Sequence, residues 1–208
     1  MNTSNSVNKY INDCYNAIDN EDIEKLEYII NYQTNKKELN KLCLARVFNK
    51  NKIKSMYKMI DLVDKEDIDT ICDQKKNTPL LLSAKRGQVD IAKKLIERGA
   101  NIEMHNSGRW RPLSIAVQYK NVDMVSFLIE QGAYIDTQDF WLMTPLMETA
   151  ASTEHCLEDH IIAEILLKSG ADVDIASNYG TVFDIAKENK RDDIIDILDN
   201  WVKNGKCN

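Results

Sequence analysis

Apolar residues recur at helical spacing along much of the chain. Around residue 91, Ile91 and Leu95, and Ala92 and Ile96, form i, i+4 pairs, while Lys93, Lys94 and Glu97 face the other way. This pattern predicts an amphipathic helix with one buried stripe. Near the C-terminus, Ile194, Ile195, Ile197 and Leu198 repeat it, and Asp192, Asp193, Asp196 and Asp199 supply a polar outer face. Leu42, Leu44, Ala45, Ile53, Met56 and Ile60 predict a further helix pair over residues 39–63. The longest apolar runs, such as Leu80–Leu82 and Ile165–Leu167, are far too short to span a bilayer.

A fixed period organises these helices. The three prolines, Pro79, Pro112 and Pro145, stand 33 residues apart, and each precedes a leucine (Leu80, Leu113, Leu146). Gly99-Ala100 and Gly132-Ala133 are also 33 apart, and Gly170-Ala171 follows after 38. A period of this length points to stacked supersecondary units. Within one unit, Thr78 before Pro79 is a capping hydroxyl ahead of a residue with no N–H to satisfy, which starts a helix well. Gly87 permits a tight turn to the second helix, and Gly99 closes that helix where positive φ is needed. Each unit is two antiparallel helices and a projecting turn, and it covers its apolar stripes only by stacking on its neighbours.

These residues resemble the ankyrin repeat family, whose unit carries a T-P-L-H-x-A core. The first clear repeat, residues 73–104, runs from Asp73 through Thr78-Pro79-Leu80 and Ala84 to Gly99-Ala100-Asn101-Ile102. The second, 106–137, contains Arg111-Pro112-Leu113 and ends Gly132-Ala133-Tyr134-Ile135-Asp136. The third, 139–175, contains Thr144-Pro145-Leu146 and ends Gly170-Ala171-Asp172-Val173-Asp174. The flanks resemble degenerate repeats: a C-terminal capping unit at 177–202 with Gly180-Thr181-Val182, and units at 8–35 and 39–63 that lack the signature. The resemblance implies an all-α solenoid of about six helix pairs forming a single domain over residues 8–203, with a disordered segment at 1–7 and a tail at 204–208.

Three departures stand out. Arg111 replaces the capping threonine of the second repeat, and Lys120 replaces the glycine of its inter-helix turn, so that repeat should be weaker unless its neighbours compensate. The third repeat carries five extra residues between Pro145 and Gly170, within 151–160, and these should bulge the connection or lengthen a helix.

Composition sharpens the functional reading. The 208 residues are 43% hydrophobic and 29% charged, as in globular proteins, with only 7 glycines and 3 prolines to support a loop-rich β fold. Five cysteines without a C-x-x-C pair, and no visible secretory signal, suit a reducing, intracellular (cytoplasmic) setting. The net charge of −6 disfavours general nucleic-acid binding. Residues 36–58 nevertheless hold eight basic side chains (Lys36, Lys37, Lys41, Arg46, Lys50, Lys52, Lys54, Lys58) against one acid, Glu38. They form either a solvated face or a dock for phospholipid or RNA.

In the ankyrin family the projecting turns and first helices line a concave face that holds partner proteins. By that resemblance the variable positions are Gln74, Lys75, Asn77, Lys85 and Arg86 in the first repeat, and Ser107, Trp110, Gln118 and Tyr119 in the second. Phe140, Trp141 and Met143 follow in the third, and Tyr179 in the cap. Large aromatics at turn tips are favoured interface anchors. Trp110, Tyr119, Phe140 and Trp141 are therefore expected at the centre of a protein-binding site, with Lys85 and Arg86 at its rim. The alternative is that Trp110 and Phe140 fold back and staple neighbouring turns. The implied protein is a non-catalytic adaptor, scaffold or inhibitor, monomeric in isolation, with an unidentified partner protein and neither cofactor nor small-molecule substrate.

Two other chemistries find little support. His155, Cys156 and His160 lie in the inserted segment, and Cys156 and His160 would share a helical face, but no second pair at ligand spacing completes a zinc site. The segment reads as a solvated polar insertion. None of the common phosphate-binding, metalloprotease or nucleophile-elbow motifs occurs, and Cys14, Cys43 and Cys72 sit among apolar residues, as buried cysteines do.

Overall fold

The structure is a computed structural model that describes residues 3–31, 36–154 and 156–203. Among these residues, twelve α-helices follow one another in pairs: α1 (Thr3–Asp19) and α2 (Ile23–Asn31), α3 (Lys36–Lys50) and α4 (Ile53–Leu62), α5 (Pro79–Lys85) and α6 (Val89–Glu97). Then come α7 (Pro112–Gln118) and α8 (Val122–Glu130), α9 (Pro145–Ala151) and α10 (Leu157–Lys168), α11 (Val182–Glu188) and α12 (Asp192–Lys203). A 3-10 turn at Lys65–Asp67 and an isolated bridge between Ser177 and Gly180 are the other regular features among the described residues. Helix α1 begins at Thr3, inside the segment expected to be disordered, because lengthening an existing helix fixes only one residue per added hydrogen bond. The tail at 204–208 lies outside the described residues.

The chain forms two compact units, residues 1–82 with 90–101, and residues 83–89 with 102–208. In the first, α1 packs on α2 and α3, and α4 packs on α3 and α2. Helix α6 is tied to the end of α4, with Lys94 Nζ 2.7 Å from the Asp61 carboxylate and Arg98 donating to the Val63 carbonyl at 2.8 Å. Its core includes Ile18, Leu26, Phe48, Met56, Met59 and Ile60, each fully buried and worth about 1.5–3 kcal/mol in apolar transfer. Cys14, Cys43 and Cys72 are buried there, and a hydrogen bond with Cys14, with burial, pushes the Cys43 thiol well up.

In the second unit α7, α9 and α11 pack in succession as one layer and α8, α10 and α12 as the other, while each hairpin also closes on itself. This is the stacked two-layer arrangement of helical repeats. Leu113, Leu128, Leu146, Leu166, Ile185, Ile194 and Leu198 fill the space between the layers.

The hairpin turns obey one rule in both units. One residue of each short turn is left-handed: Glu21 (φ 52°), Asn51 (54°), Gly87 (66°), Lys120 (56°) and Lys190 (56°). Four of the five are not glycine and carry a steric cost of about 1 kcal/mol each. The residue that follows in three of them reaches back to the first helix of the preceding hairpin. Lys52 Nζ donates to the Asp19 carbonyl at 2.7 Å, and Asn121 Nδ2 to the carbonyls of Ala84 (2.8 Å) and Lys85 (3.2 Å). Arg191 Nη1 donates to those of Thr149 and Ser152, both at 2.9 Å. The last carbonyls of a helix lack partners within it, so these side chains complete the caps. Gly87 is required by one of them, since a β-carbon there would meet Asn121 Oδ1 at 2.9 Å.

A second tie runs between repeats. A carboxylate at the end of one repeat accepts the backbone N–H after the Gly-Ala pair of the next: Asp69 from Asn101 (3.0 Å), Glu103 from Tyr134 (2.9 Å) and Asp136 from Asp172 (3.1 Å). Thr144 and Thr181 cap their helices, each accepting from the third residue on at 3.4 Å. Arg111 makes no such cap; its guanidinium instead pairs with Glu103 at 3.1 Å and hydrogen-bonds Thr137, which compensates the lost threonine. The extra residues of the third repeat go to both expected places. Helix α10 has twelve residues where α6 and α8 have nine, and the connection before it is longer by the remaining two.

Candidate functional site

The projecting turns are each organised by their first residue. Asp73 Oδ1 accepts the N–H groups of Lys75 and Asn77, both at 3.0 Å. In the second unit Asn106 Oδ1 accepts those of Gly108 (2.9 Å) and Trp110 (3.2 Å), and Asp139 Oδ1 those of Trp141 (2.8 Å) and Met143 (2.9 Å). Ser177 Oγ accepts from Tyr179 at 3.1 Å. Such turns present the middle residues outward and pull the first and last inward. Successive turns of the second unit are also joined backbone to backbone, Phe140 N–H to the Gly108 carbonyl (3.1 Å) and Asn178 N–H to the Trp141 carbonyl (3.2 Å).

This construction sorts the expected binding residues. Phe140, Trp141 and Tyr179 are exposed at turn tips, at 65%, 45% and 55%, and the Phe140 and Trp141 rings meet edge to face with centroids 6.0 Å apart. Tyr119 and Gln118 are exposed at the end of α7, and Lys85 Nζ sits 5.0 Å from the centre of the Tyr119 ring. Arg86 is half-buried beside Lys85. These residues belong to the second unit, Phe140, Trp141 and Tyr179 at the tips of its turns and Tyr119, Gln118, Lys85 and Arg86 at or just after the ends of first helices. Gln74 and Lys75 are exposed in the first unit, and Ser107 is exposed in the second.

Three positions depart from expectation. Met143 is buried (8% exposed), because as the last residue of its turn it is drawn onto Asp139. Asn77 is buried for the same reason, with Nδ2 donating to Asp73 Oδ2 at 2.7 Å. Both hold up the turns instead of facing a partner. Trp110 is half-buried, and its indole lies over Gly108, so that a β-carbon there would come within 3.2 Å of Cδ1. Trp110 thus staples its own turn, whereas Phe140 does not fold back.

One residue of the inserted segment, Asp159, is drawn into a buried ion-pair network, while Thr153, Glu154, Leu157 and Glu158 are exposed, as in a solvated insertion. Arg191, fully buried, pairs with Asp159 at 3.4 Å and with Asp193 at 2.9 Å, and Lys120 Nζ lies 3.5 Å from Asp159 and 3.2 Å from Glu154. The Arg191 hydrogen bond holds the Asp193 carboxyl below the usual carboxylate range. Cys156 precedes α10 instead of lying within it and has Lys120 as its charged neighbour, whereas His160 Nε2 turns to Asp193 at 2.8 Å. The two side chains therefore have separate partners; His155 lies outside the described residues. Sequence reasoning missed this network because its members are far apart in the chain, although an arginine directly before the Ile194 stripe was a signal.

Beside the network, α7, α9 and the connection after α9 line an open-mouthed cavity of ≈350 Å³, with Gln118, Lys120, Glu148, Glu154 and Asp159 in its wall. Burial, with the nearby charge of Asp139, pushes the Glu148 carboxyl up to about 7.

The basic stretch at 36–58 is largely paired within the first unit. Lys37 meets Glu66 at 3.5 Å, Lys41 meets Asp67 at 3.3 Å and Lys58 meets Glu27 at 2.7 Å, while Arg46 pairs with Asp19 and stacks over Tyr15. Lys50 and Lys54 are exposed. No helix among the described residues is long and apolar enough to cross a membrane.

Comparison with protein families agrees with this architecture. A model described as ankyrin repeats (3 copies) matches residues 15–139, and a model of the single ankyrin repeat matches residues 141–178. The first match reaches back through the unit at 39–63 and into the one at 8–35, both of which lack the signature. No curated protein matches the chain significantly. With helix pairs, turns and caps in register, and family matches running from residue 15 to 178, the chain belongs to the ankyrin repeat family.

Proposed function

We propose that the protein is a non-catalytic interaction module that holds a partner protein on the turn-tip and first-helix face of its second unit. Ankyrin repeats are in general protein–protein interaction modules, and proteins built of them are typically non-catalytic. The observation that carries the reading is the exposure of Phe140, Trp141 and Tyr179 on turns joined by backbone hydrogen bonds, and of Tyr119 at the end of α7. Rings this exposed add little to folding and are costly to leave in water, whereas rigid aromatic anchors lose little entropy on binding. Lys85, Arg86 and Gln118 supply the polar rim.

The test is affinity capture from the native cell with the wild type and with Phe140→Ala/Trp141→Ala. The wild type retains a defined partner, and the double variant loses it while melting within a few degrees of the wild type. Equal capture by both proteins would remove this face from consideration.

A further inference from the structure

Glu148 breaks a register. Helices α5, α7, α9 and α11 are seven residues each, and their fourth positions are Leu82, Ile115, Glu148 and Ile185. The three apolar residues are buried and Glu148 is half-buried, a carboxylate at the edge of a row that otherwise builds the core. Its carboxylate makes no hydrogen bond or ion pair with another described residue, and lines the ≈350 Å³ cavity instead. A carboxyl group in such a place, without an internal partner, marks a site with a task outside folding.

The surroundings specify the charge of the occupant. Lys120 shares the wall, but its ammonium is already engaged by Glu154, Asp159 and the Ser152 hydroxyl at 3.1 Å. Asp139, 2% exposed and close enough for its charge to act on Glu148, has its Oδ2 without a hydrogen-bond partner among the described residues. An anion entering here would meet Glu148, Glu154 and Asp159 together. An apolar group would leave Glu148 desolvated and unpaired, which is the costly arrangement. A cation satisfies both requirements, and a cavity at the small end of the usual pocket range of roughly 300–1,000 Å³ suits one long side chain.

We infer that the cavity receives an arginine or lysine side chain of the partner protein, with its charge resting on Glu148. This deepens the proposed function and rests on it for the identity of the occupant as part of a protein. The cavity adjoins Tyr119 of the proposed face through the chain itself, since the wall residues Gln118 and Lys120 flank it.

The test titrates N-acetyl-arginine amide and N-acetyl-lysine amide into the isotope-labelled full chain at pH 8, following the Glu148 carboxyl carbon, with N-acetyl-citrulline amide as the uncharged control. The cationic probes should give a saturable shift and citrulline none. Binding should weaken roughly tenfold or more in Glu148→Gln, and similarly in the wild type at pH 5.5 where the carboxyl is protonated. Glu148→Gln should fold at least as well as the wild type, and Phe140→Ala/Trp141→Ala should keep the probe response. An absent shift, an equal response to citrulline, or partner capture undiminished in Glu148→Gln would each overturn the inference. The last result, with capture still lost in the aromatic variant, would leave the interaction face standing without the pocket.

Discussion

Arg191 occupies in the last hairpin the place that Asn121 holds in an earlier one, directly after the left-handed turn residue, and both donate to the closing carbonyls of an earlier first helix. The asparagine suffices where that helix ends in a short turn. Behind α9 the connection is longer, so a longer donor is needed, and the guanidinium fits because Asp159 and Asp193 neutralise it. The inserted segment and the buried arginine are thus two halves of one device.

Removing the cation from this device should be expensive. Arg191→Met keeps the packing volume but leaves the Thr149 and Ser152 carbonyls and a buried carboxylate with only Lys120 in support. The expected loss is about 3–5 kcal/mol, the usual effect of breaking a buried pair by deleting one partner. Urea denaturation of the two proteins measures it, and a loss below about 1 kcal/mol would show that the network is ornamental.

Glu148 should make stability fall as pH rises. Its folded carboxyl titrates near 7 against an ordinary 4.5, so the folded state binds a proton more tightly than the unfolded state. The resulting contribution is fully present below pH 4.5 and is lost as pH climbs through 7. Glu148→Gln should therefore match the wild type near pH 4.5 and exceed it at pH 8 by up to about 3 kcal/mol. Denaturation at the two pH values checks the sign, and a variant less stable at pH 8 would contradict it.

The basic helices of the first unit should not dock on anionic membranes. Among the described side chains four of their cations already have carboxylate partners and Lys52 donates to the Asp19 carbonyl, while Lys50 and Lys54 are exposed at the end of α3 and the start of α4. Each such lysine adds only about 1 kcal/mol near a charged surface. No co-sedimentation with phosphatidylserine vesicles is expected at roughly 0.15 M salt, where screening is strong. Binding that disappears in Lys50→Ala/Lys54→Ala would revive the alternative.

Helix pairs, prolines at helix starts and glycines after helix ends were legible because each is a local backbone requirement repeated at a fixed period. The extra residues of the third repeat could likewise be located by counting. Burial within a turn was not legible, because whether Met143 or Asn77 faces out depends on which residue organises the turn. Glu148 illustrates a different limit. Its departure from the apolar row is visible beside Ile115, yet only the cavity and the unengaged carboxyl give that departure a meaning. Lys120 stood out as a misplaced residue in a glycine turn, and its link to Asp159 emerged only in three dimensions.

The hydrogen bonds running from Gly108 to Phe140 and from Trp141 to Asn178 make the row of tips a ruler. Their spacing is set by main-chain geometry, so the rings cannot drift apart to suit a poorly matched visitor. On the reading proposed above, discrimination on such a surface comes from refusal: a macromolecule whose grooves are out of step with the tips gains no foothold. Change in what the row accepts must then come from exchanging side chains at the tips, not from bending the stem beneath them.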